Sequence, residues 1–225
     1  MNQDTNMDYR RLMTKMVNVI AHDVRNPLNN ILLSTAQFKG ESLPDKEDTA
    51  FYIDIIERSC DRVNSLLEEI IGIIHPPGLN PDTFDLTEVV KELLQENEDR
   101  LELKEVKVVP TLNEVVVAHF DRAMVKQALF HVLENAIDAS GKGMSIAVSV
   151  QQDGDTAKII IADEGGGINE DTMPHIYAPF YTSKERHKGL GLALADNVIA
   201  AHLGSMRHTN TEKGTEVVVS MPLHV

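Results

Sequence analysis

The sequence is short of positive charge: 21 Lys and Arg stand against 35 Asp and Glu, a formal charge of −14 with neutral histidines. Broad electrostatic binding of nucleic acid depends on neutralising phosphates with Lys and Arg, so that class of partner is excluded and any polyanion must be met locally. Cys60 is the one cysteine, which excludes an internal disulfide. No apolar run is long enough to span a bilayer, and the polar opening MNQDTNMDYRR contains no signal-peptide core. The expectation is a reducing, cytoplasmic setting without membrane contact by this segment, either as a free protein or as the soluble core of a larger, membrane-attached one. Internal repeats and low-complexity tracts are absent as well. What is present, 42% hydrophobic and 25% charged residues, is the composition of an ordinary globular chain of one or two domains.

Two periodicities divide the chain. Met13, Val17, Ile20, Val24, Pro27 and Ile31 alternate steps of four and three, a coiled-coil seam with Met13, Ile20 and Pro27 at d and Val17, Val24 and Ile31 at a. After KGESLPDKED, Ser42 or Asp45 can cap a second helix, in which Ile56, Cys60, Val63, Leu67, Ile70 and Ile74 repeat the alternation. Cys60 therefore reads as a small buried hydrophobe. One hairpin would leave Leu66, Ile71 and Ile73 exposed, so pairing of two hairpins into a homodimeric four-helix bundle is expected. Pro76-Pro77-Gly78 stops the second helix, placing a boundary between residues 1–76 and 77–225.

Beyond it the spacing predicts helices at 86–103, 122–139 and about 190–202. Strands are predicted at 106–109, 115–118, 144–151, 158–162, 205–208 and 216–221. Helices and strands without strict alternation imply an α+β protein whose second part is a sandwich.

Four segments carry chemistry. In HDVRNPLNN, His22 and Asn26 share a helix face turned away from the seam, and Asp23 can hold one ring nitrogen as N–H, leaving the other nucleophilic. Pro27 removes a backbone donor, so a local bend is expected there. Asn135 offers an amide oxygen suited to magnesium, although by itself an exposed amide on an amphipathic helix is the better reading. In IIIADEGGGI an apolar strand ends in Asp163 and three glycines; the carboxylate can accept from an exocyclic amine such as that of adenine, or simply form a tight turn. KGLGLALA puts glycines directly before a helix, with Lys184 and Lys188 nearby, a local anion site. Its spacing is not that of a dinucleotide fingerprint, and no strand precedes it. Zinc is not indicated by the nine histidines, since none has ligand spacing backed by a thiol or carboxylate cluster.

In order and spacing these segments resemble the catalytic core of sensor histidine kinases. HDVRNPL is similar to the phosphoacceptor box, HVLENAIDAS to the asparagine box and DEGGGI to the first glycine box. APFYTSK is similar to the phenylalanine box, KGLGLALA to the second glycine box and KGT at 213–215 to the last glycine motif. The resemblance implies a dimerisation and histidine-phosphotransfer hairpin followed by an ATP-binding α/β sandwich of the gyrase, heat-shock chaperone and mismatch-repair type. It implies ATP-dependent phosphorylation of His22, with Asp23 as its acid/base partner, and transfer to an aspartate of a response regulator receiver domain. Asn26 matches the position that orients water when such enzymes dephosphorylate that partner. Asn135 would ligand magnesium and Asp163 would read the adenine. Gly165, Gly167, Lys184, Lys188, Gly189, Leu190, Gly191, Leu192, Gly214 and Thr215 would border the nucleotide, and Phe180 would anchor the lid. His131 stands where the family often has Asn, His187 where it usually has Gly, and the lid is short. An upstream sensor domain or protein is implied as the driver. The alternatives are a clamp-type ATPase of the same superfamily, which would want a Glu at position 131, and a phosphotransfer scaffold, which would be expected to have lost nucleotide residues.

Overall fold

The computed structural model describes residues 3–39, 45–74, 78–182, 184 and 188–223. Ser42, Pro76, Pro77 and His187 lie outside them, as do the side chains of Met13, Ile73 and Ile74. The chain divides into two compact units, Met1–Ile74 with Lys184–Lys188, and His75–Ser183 with Gly189–Val225.

The first unit is an antiparallel pair of long helices, α1 (Gln3–Gln37) and α2 (Lys46–Ile74). α1 runs as one helix through Pro27. Asp45 caps α2, its Oδ1 accepting from the Glu47 and Asp48 amides at 2.9 Å each, and those two acidic residues favour the positive end of the helix dipole. The inward seam differs from the expected one. Leu66 and Ser59 are buried, whereas Cys60 is exposed and Leu67 is 47% exposed. The inward series is therefore Ile56, Ser59, Val63, Leu66 and Ile70, which shares its first, third and last members with the expected series but turns the helix by one residue between them. Cys60 is accordingly not a core residue. Val17, at an expected seam position of α1, is 61% exposed. Leu28, Leu32 and Leu33 of α1, and Phe51, Ile53, Leu67 and Ile71 of α2, are exposed as well.

The second unit is a two-layer sandwich. Its mixed sheet has the order β2-β4-β5-β7-β6, from β2 (Lys107–Thr111), β4 (Ser145–Asp153), β5 (Thr156–Asp163), β6 (Ser205–Asn210) and β7 (Thr215–Pro222). β2 and β4 are parallel and every other neighbour pair is antiparallel. Burial alternates strictly along β5 and β7, with Ala157, Ile159, Ile161 and Asp163, and Thr215, Val217, Val219 and Met221, on the covered side. Helices α3 (Leu86–Glu96), α5 (Arg122–Ala139) and α6 (Gly191–Ala201) supply the second layer. Leu129, Leu133 and Ile137 of α5 are almost fully buried, each worth about 1.5–3 kcal/mol relative to exposure.

Two departures from expectation have local causes. The helix expected over 86–103 breaks at Asn97, which separates α3 from α4 (Glu98–Leu103). Asn97 is buried and its Nδ2 donates to the Leu93 carbonyl, so the side chain competes with the backbone for the helix bond. A strand without an apolar run, β1 (Asp82–Asp85), pairs with β3 (Val117–Phe120) in a separate ribbon. The Asp85 carboxylate at its end caps α3 through the Thr87 amide and also accepts from Val116 N, fixing ribbon to helix.

Candidate functional site

On α1, His22 is a solvent-facing imidazole with 70% of its side chain exposed, and its Nδ1 lies 3.1 Å from Asp23 Oδ1. An ionised carboxylate only accepts, so Nδ1 carries the proton and Nε2 keeps its lone pair facing solvent. Asn26, one turn on, is exposed; Pro27 beside it is buried. An open groove of about 580 Å³ borders this face, its lining including Asp23, Asn26, Pro27 and Asn30 of α1 and Arg58 and Arg62 of α2. Lys188, whose segment groups with this helical unit, donates to Glu69 Oε2 of α2 at 2.8 Å.

In the second unit the separate motifs converge at one end of the sheet. β5 delivers Asp163 as its last residue, 7% exposed, with Oδ1 accepting from Gly165 N at 2.8 Å and Thr215 N at 3.2 Å. Among the described residues no hydrogen bond engages Oδ2. Gly214 backs directly onto this carboxylate: a Cβ there would stand 2.1 Å from the Asp163 carbonyl oxygen and 2.7 Å from Oδ1. Gly165 presses on the end of α5, where a Cβ would meet Ala139 at 2.6 Å. Gly165 thus serves helix-to-strand packing, while Gly166, at φ +83°, has nothing near the place of its missing Cβ.

Asn210 holds the far side of the glycine loop, accepting from Ile168 N at 2.8 Å and donating to the Ile168 carbonyl at 2.7 Å. Nothing in the sequence distinguished Asn210, because its partner is 42 residues away. Phe180 is 2% exposed and its amide donates to the Gly189 carbonyl at 2.8 Å, which pinches together the two ends of the segment between them. Leu190 is buried; Leu192 and Lys184 are half-buried. α6 starts at Gly191 without a side-chain cap, so its first amides remain available to an anion.

α5 brings Asn135 to the same end. Its Nδ2 donates to the His131 carbonyl at 3.1 Å, which leaves Oδ1, a hard neutral oxygen, as the group free to meet a cation. The amide fits a magnesium ion that takes its remaining ligands from water and phosphate. The outward side of α5 is tied to α4 by Arg100, which donates to Glu134 Oε1 at 3.0 Å and to Asp138 Oδ1 at 2.9 Å. His131 and Arg100 together hold the Glu134 carboxyl down at about 2. Farther along, Tyr177 Oη donates to the Met206 carbonyl and lies 2.7 Å from His208 Nδ1, fastening the segment before Phe180 to β6. Burial pushes the tyrosine up to about 12 and the histidine down to about 4.

Comparisons with known proteins agree with this division. Residues 12–72 match the His Kinase A (phospho-acceptor) domain, and residues 120–225 match the histidine kinase-, DNA gyrase B- and HSP90-like ATPase family. The sensor histidine kinase ZraS of Escherichia coli (strain K12) is 27% identical over 208 residues, 92% of this chain and 44% of that protein. Sporulation kinase C of Bacillus subtilis (strain 168) is 28% identical over 207 residues, 91% of this chain and 47% of that protein. The chain thus spans less than half the length of these relatives. A crystal structure of the histidine kinase ThkA in complex with the response regulator protein TrrA shares the fold, with a TM-score of 0.64, 23% identity, and coverage of 96% of this chain and 64% of that one. A phospho-acceptor hairpin is thus joined to an ATPase-type sandwich in the order found in these relatives, the arrangement of a histidine kinase catalytic core.

Proposed function

We propose that the chain is the catalytic core of a two-component system: it binds ATP in the second unit, phosphorylates His22 and passes the phosphoryl group to an aspartate of a response regulator. The observation that carries the reading is the His22–Asp23 pair, an exposed imidazole whose proton is held on Nδ1 by a neighbouring carboxylate. Nε2 attacks the γ-phosphorus, the N–P bond forms as the bond to the ADP oxygen breaks, and Asp23 stabilises the positive charge that develops on the ring. Asp163 Oδ2 receives the adenine amine, held in place by the two amides on Oδ1. The uncapped start of α6 and the open backbone at Gly166 serve the phosphates, with Gly167, Gly189, Leu190, Leu192 and Thr215 around them, and Asn135 Oδ1 would hold the divalent ion. That ion, when bound, neutralises charge on the phosphates.

The apolar side chains left exposed on α1 and α2 support a homodimer through the hairpin. The ThkA–TrrA complex supports a receiver domain as the phosphoryl acceptor. A receiver docked over His22 would bring its acyl phosphate near Asn26, so the chain also acts as a phosphatase, with the amide orienting an in-line water. The direct test is incubation with γ-labelled ATP and magnesium. Label stable to alkali, lost in acid and absent from His22→Gln supports the kinase; acid-stable label, or label persisting in the variant, refutes it. Asn26→Ala should then slow decay of a phosphorylated cognate receiver while sparing self-labelling.

A further inference from the structure

β6 is an edge strand of the sheet, and its backbone pairing with β7 ends at Asn210, opposite Thr215. From that position the Asn210 side chain reaches the glycine loop. Its Oδ1 accepts from Ile168 N at 2.8 Å and its Nδ2 donates to the Ile168 carbonyl at 2.7 Å. A carboxamide has the same donor and acceptor as a peptide unit, so two bonds to the N–H and C=O of one residue reproduce a single rung of a strand ladder. The rung is built against a glycine. A Cβ on Gly167 would stand 3.1 Å from Asn210 Oδ1 and 3.2 Å from its Cγ, so a side chain there would press on the clamp.

The clamped backbone has little order of its own. Gly166 and Gly167 stand at φ +83° and +84°, two consecutive left-handed positions, and glycine loses more conformational freedom on ordering than any other residue. Upstream the loop is tied by Gly165 N on Asp163 Oδ1 and by Gly166 N, which donates to the Lys213 carbonyl at 3.0 Å. Asn210 is the tie immediately downstream of the two glycines. Both of its bonds are exposed to solvent, where a hydrogen bond is exchanged against water and adds little to the stability of the fold. Their consequence therefore falls on the shape of the loop.

We propose that Asn210 is a positioning residue for the nucleotide, holding the Gly166–Gly167 backbone in its left-handed shape so that the loop is ordered before the ligand arrives. This rests on the reading of the second unit as an ATP site. Asn210 acts through the loop and not by touching the nucleotide. A loop ordered in advance spares the ligand the entropy of ordering it, which is the general gain from preorganisation. Returning about one residue's worth of backbone freedom to the empty loop corresponds to roughly 5–30-fold in affinity.

The test uses the whole chain, with ADP binding followed by calorimetry and amide hydrogen exchange followed by magnetic resonance with and without ADP. Asn210→Ala should bind ADP about 5–30-fold more weakly than the wild type, while its melting temperature moves by no more than a few degrees. Without ADP, the amides of residues 166–168 should exchange faster in the variant. On binding ADP the variant should therefore gain more protection over these residues than the wild type, whose loop is already ordered. Asn210→Asp keeps an acceptor for Ile168 N but turns a second acceptor to the Ile168 carbonyl, and it should shift exchange and affinity in the same direction. Undiminished ADP affinity in Asn210→Ala would overturn the proposal. Weaker binding with the same gain of protection as the wild type would assign Asn210 to direct contact and overturn it too, as would an affinity loss that only accompanies a large fall in melting temperature in both variants. A wild type that binds no ADP would overturn the ATP reading itself, a result separable from all of these.

Discussion

Substituting Asp163 by Asn and by Ala separates two roles that one side chain combines. Oδ1 accepts from Gly165 N and Thr215 N in a place where only 7% of the residue is exposed. An amide oxygen can take both bonds, so Asp163→Asn keeps the loop anchored and alters only the group presented to the nucleotide. A charge-assisted hydrogen bond is worth about 1.5–3 kcal/mol, so affinity for ADP and ATP alike should fall by roughly 10–150-fold. Asp163→Ala loses the same contact and also strands two backbone N–H groups, each costing about 1–3 kcal/mol. Its Tm should therefore drop by roughly 4–24 °C, at 2–4 °C per kcal/mol, while that of the Asn variant stays near the wild type. Calorimetry with ADP and thermal melting of the three proteins provide the two readings. A folded Asn variant with undiminished ADP affinity would refute the assignment of adenine to Asp163, and an Ala variant that melts with the wild type would refute its role as the anchor of the glycine loop.

Three other outcomes are expected. The outward stripes include Leu32, 65% exposed, and Leu67, 47% exposed; Leu32→Glu with Leu67→Glu removes four apolar side chains from a symmetric pair, about 6–12 kcal/mol at 1.5–3 each, and light scattering should find a monomer. His202 is fully buried, its Nε2 accepting from Asp121 N at 3.0 Å and its Nδ1 donating to the Val198 carbonyl at 2.8 Å, so His202→Ala should cost about 3–5 kcal/mol in urea unfolding, and equal stability would contradict the link it makes. His208 is held at about 4 by burial against an ordinary 6.5. The unfolded chain then binds more protons between these values, so the contribution is complete above pH 6.5 and is lost as pH falls toward 4, by roughly 3 kcal/mol. Stability measured against pH should lose that part of its slope in His208→Phe.

The sequence by itself determined the elements whose burial pattern is local. Helix α5 spans Arg122–Ala139 as its apolar spacing indicates, and β5 and β7 alternate residue by residue, because a segment that packs one face on a core must write that face into its own periodicity. It likewise selected Asp163, Gly165, Gly214 and Thr215, which the fold brings into direct contact. Tertiary structure decided what depends on a partner. Ile56, Val63 and Ile70 fit two seams equally, and in the folded chain Ser59 and Leu66 are buried rather than Cys60 and Leu67. The β1–β3 ribbon arises from a four-residue strand with little apolar signal, fixed by pairing with residues 117–120. His131 beside Gly191, Asn210 on Ile168 and His202 on Asp121 are likewise invisible in a linear reading, since each joins residues at least 42 positions apart and the physical requirement it meets, a buried polar atom or a close approach, exists only once the layers have closed.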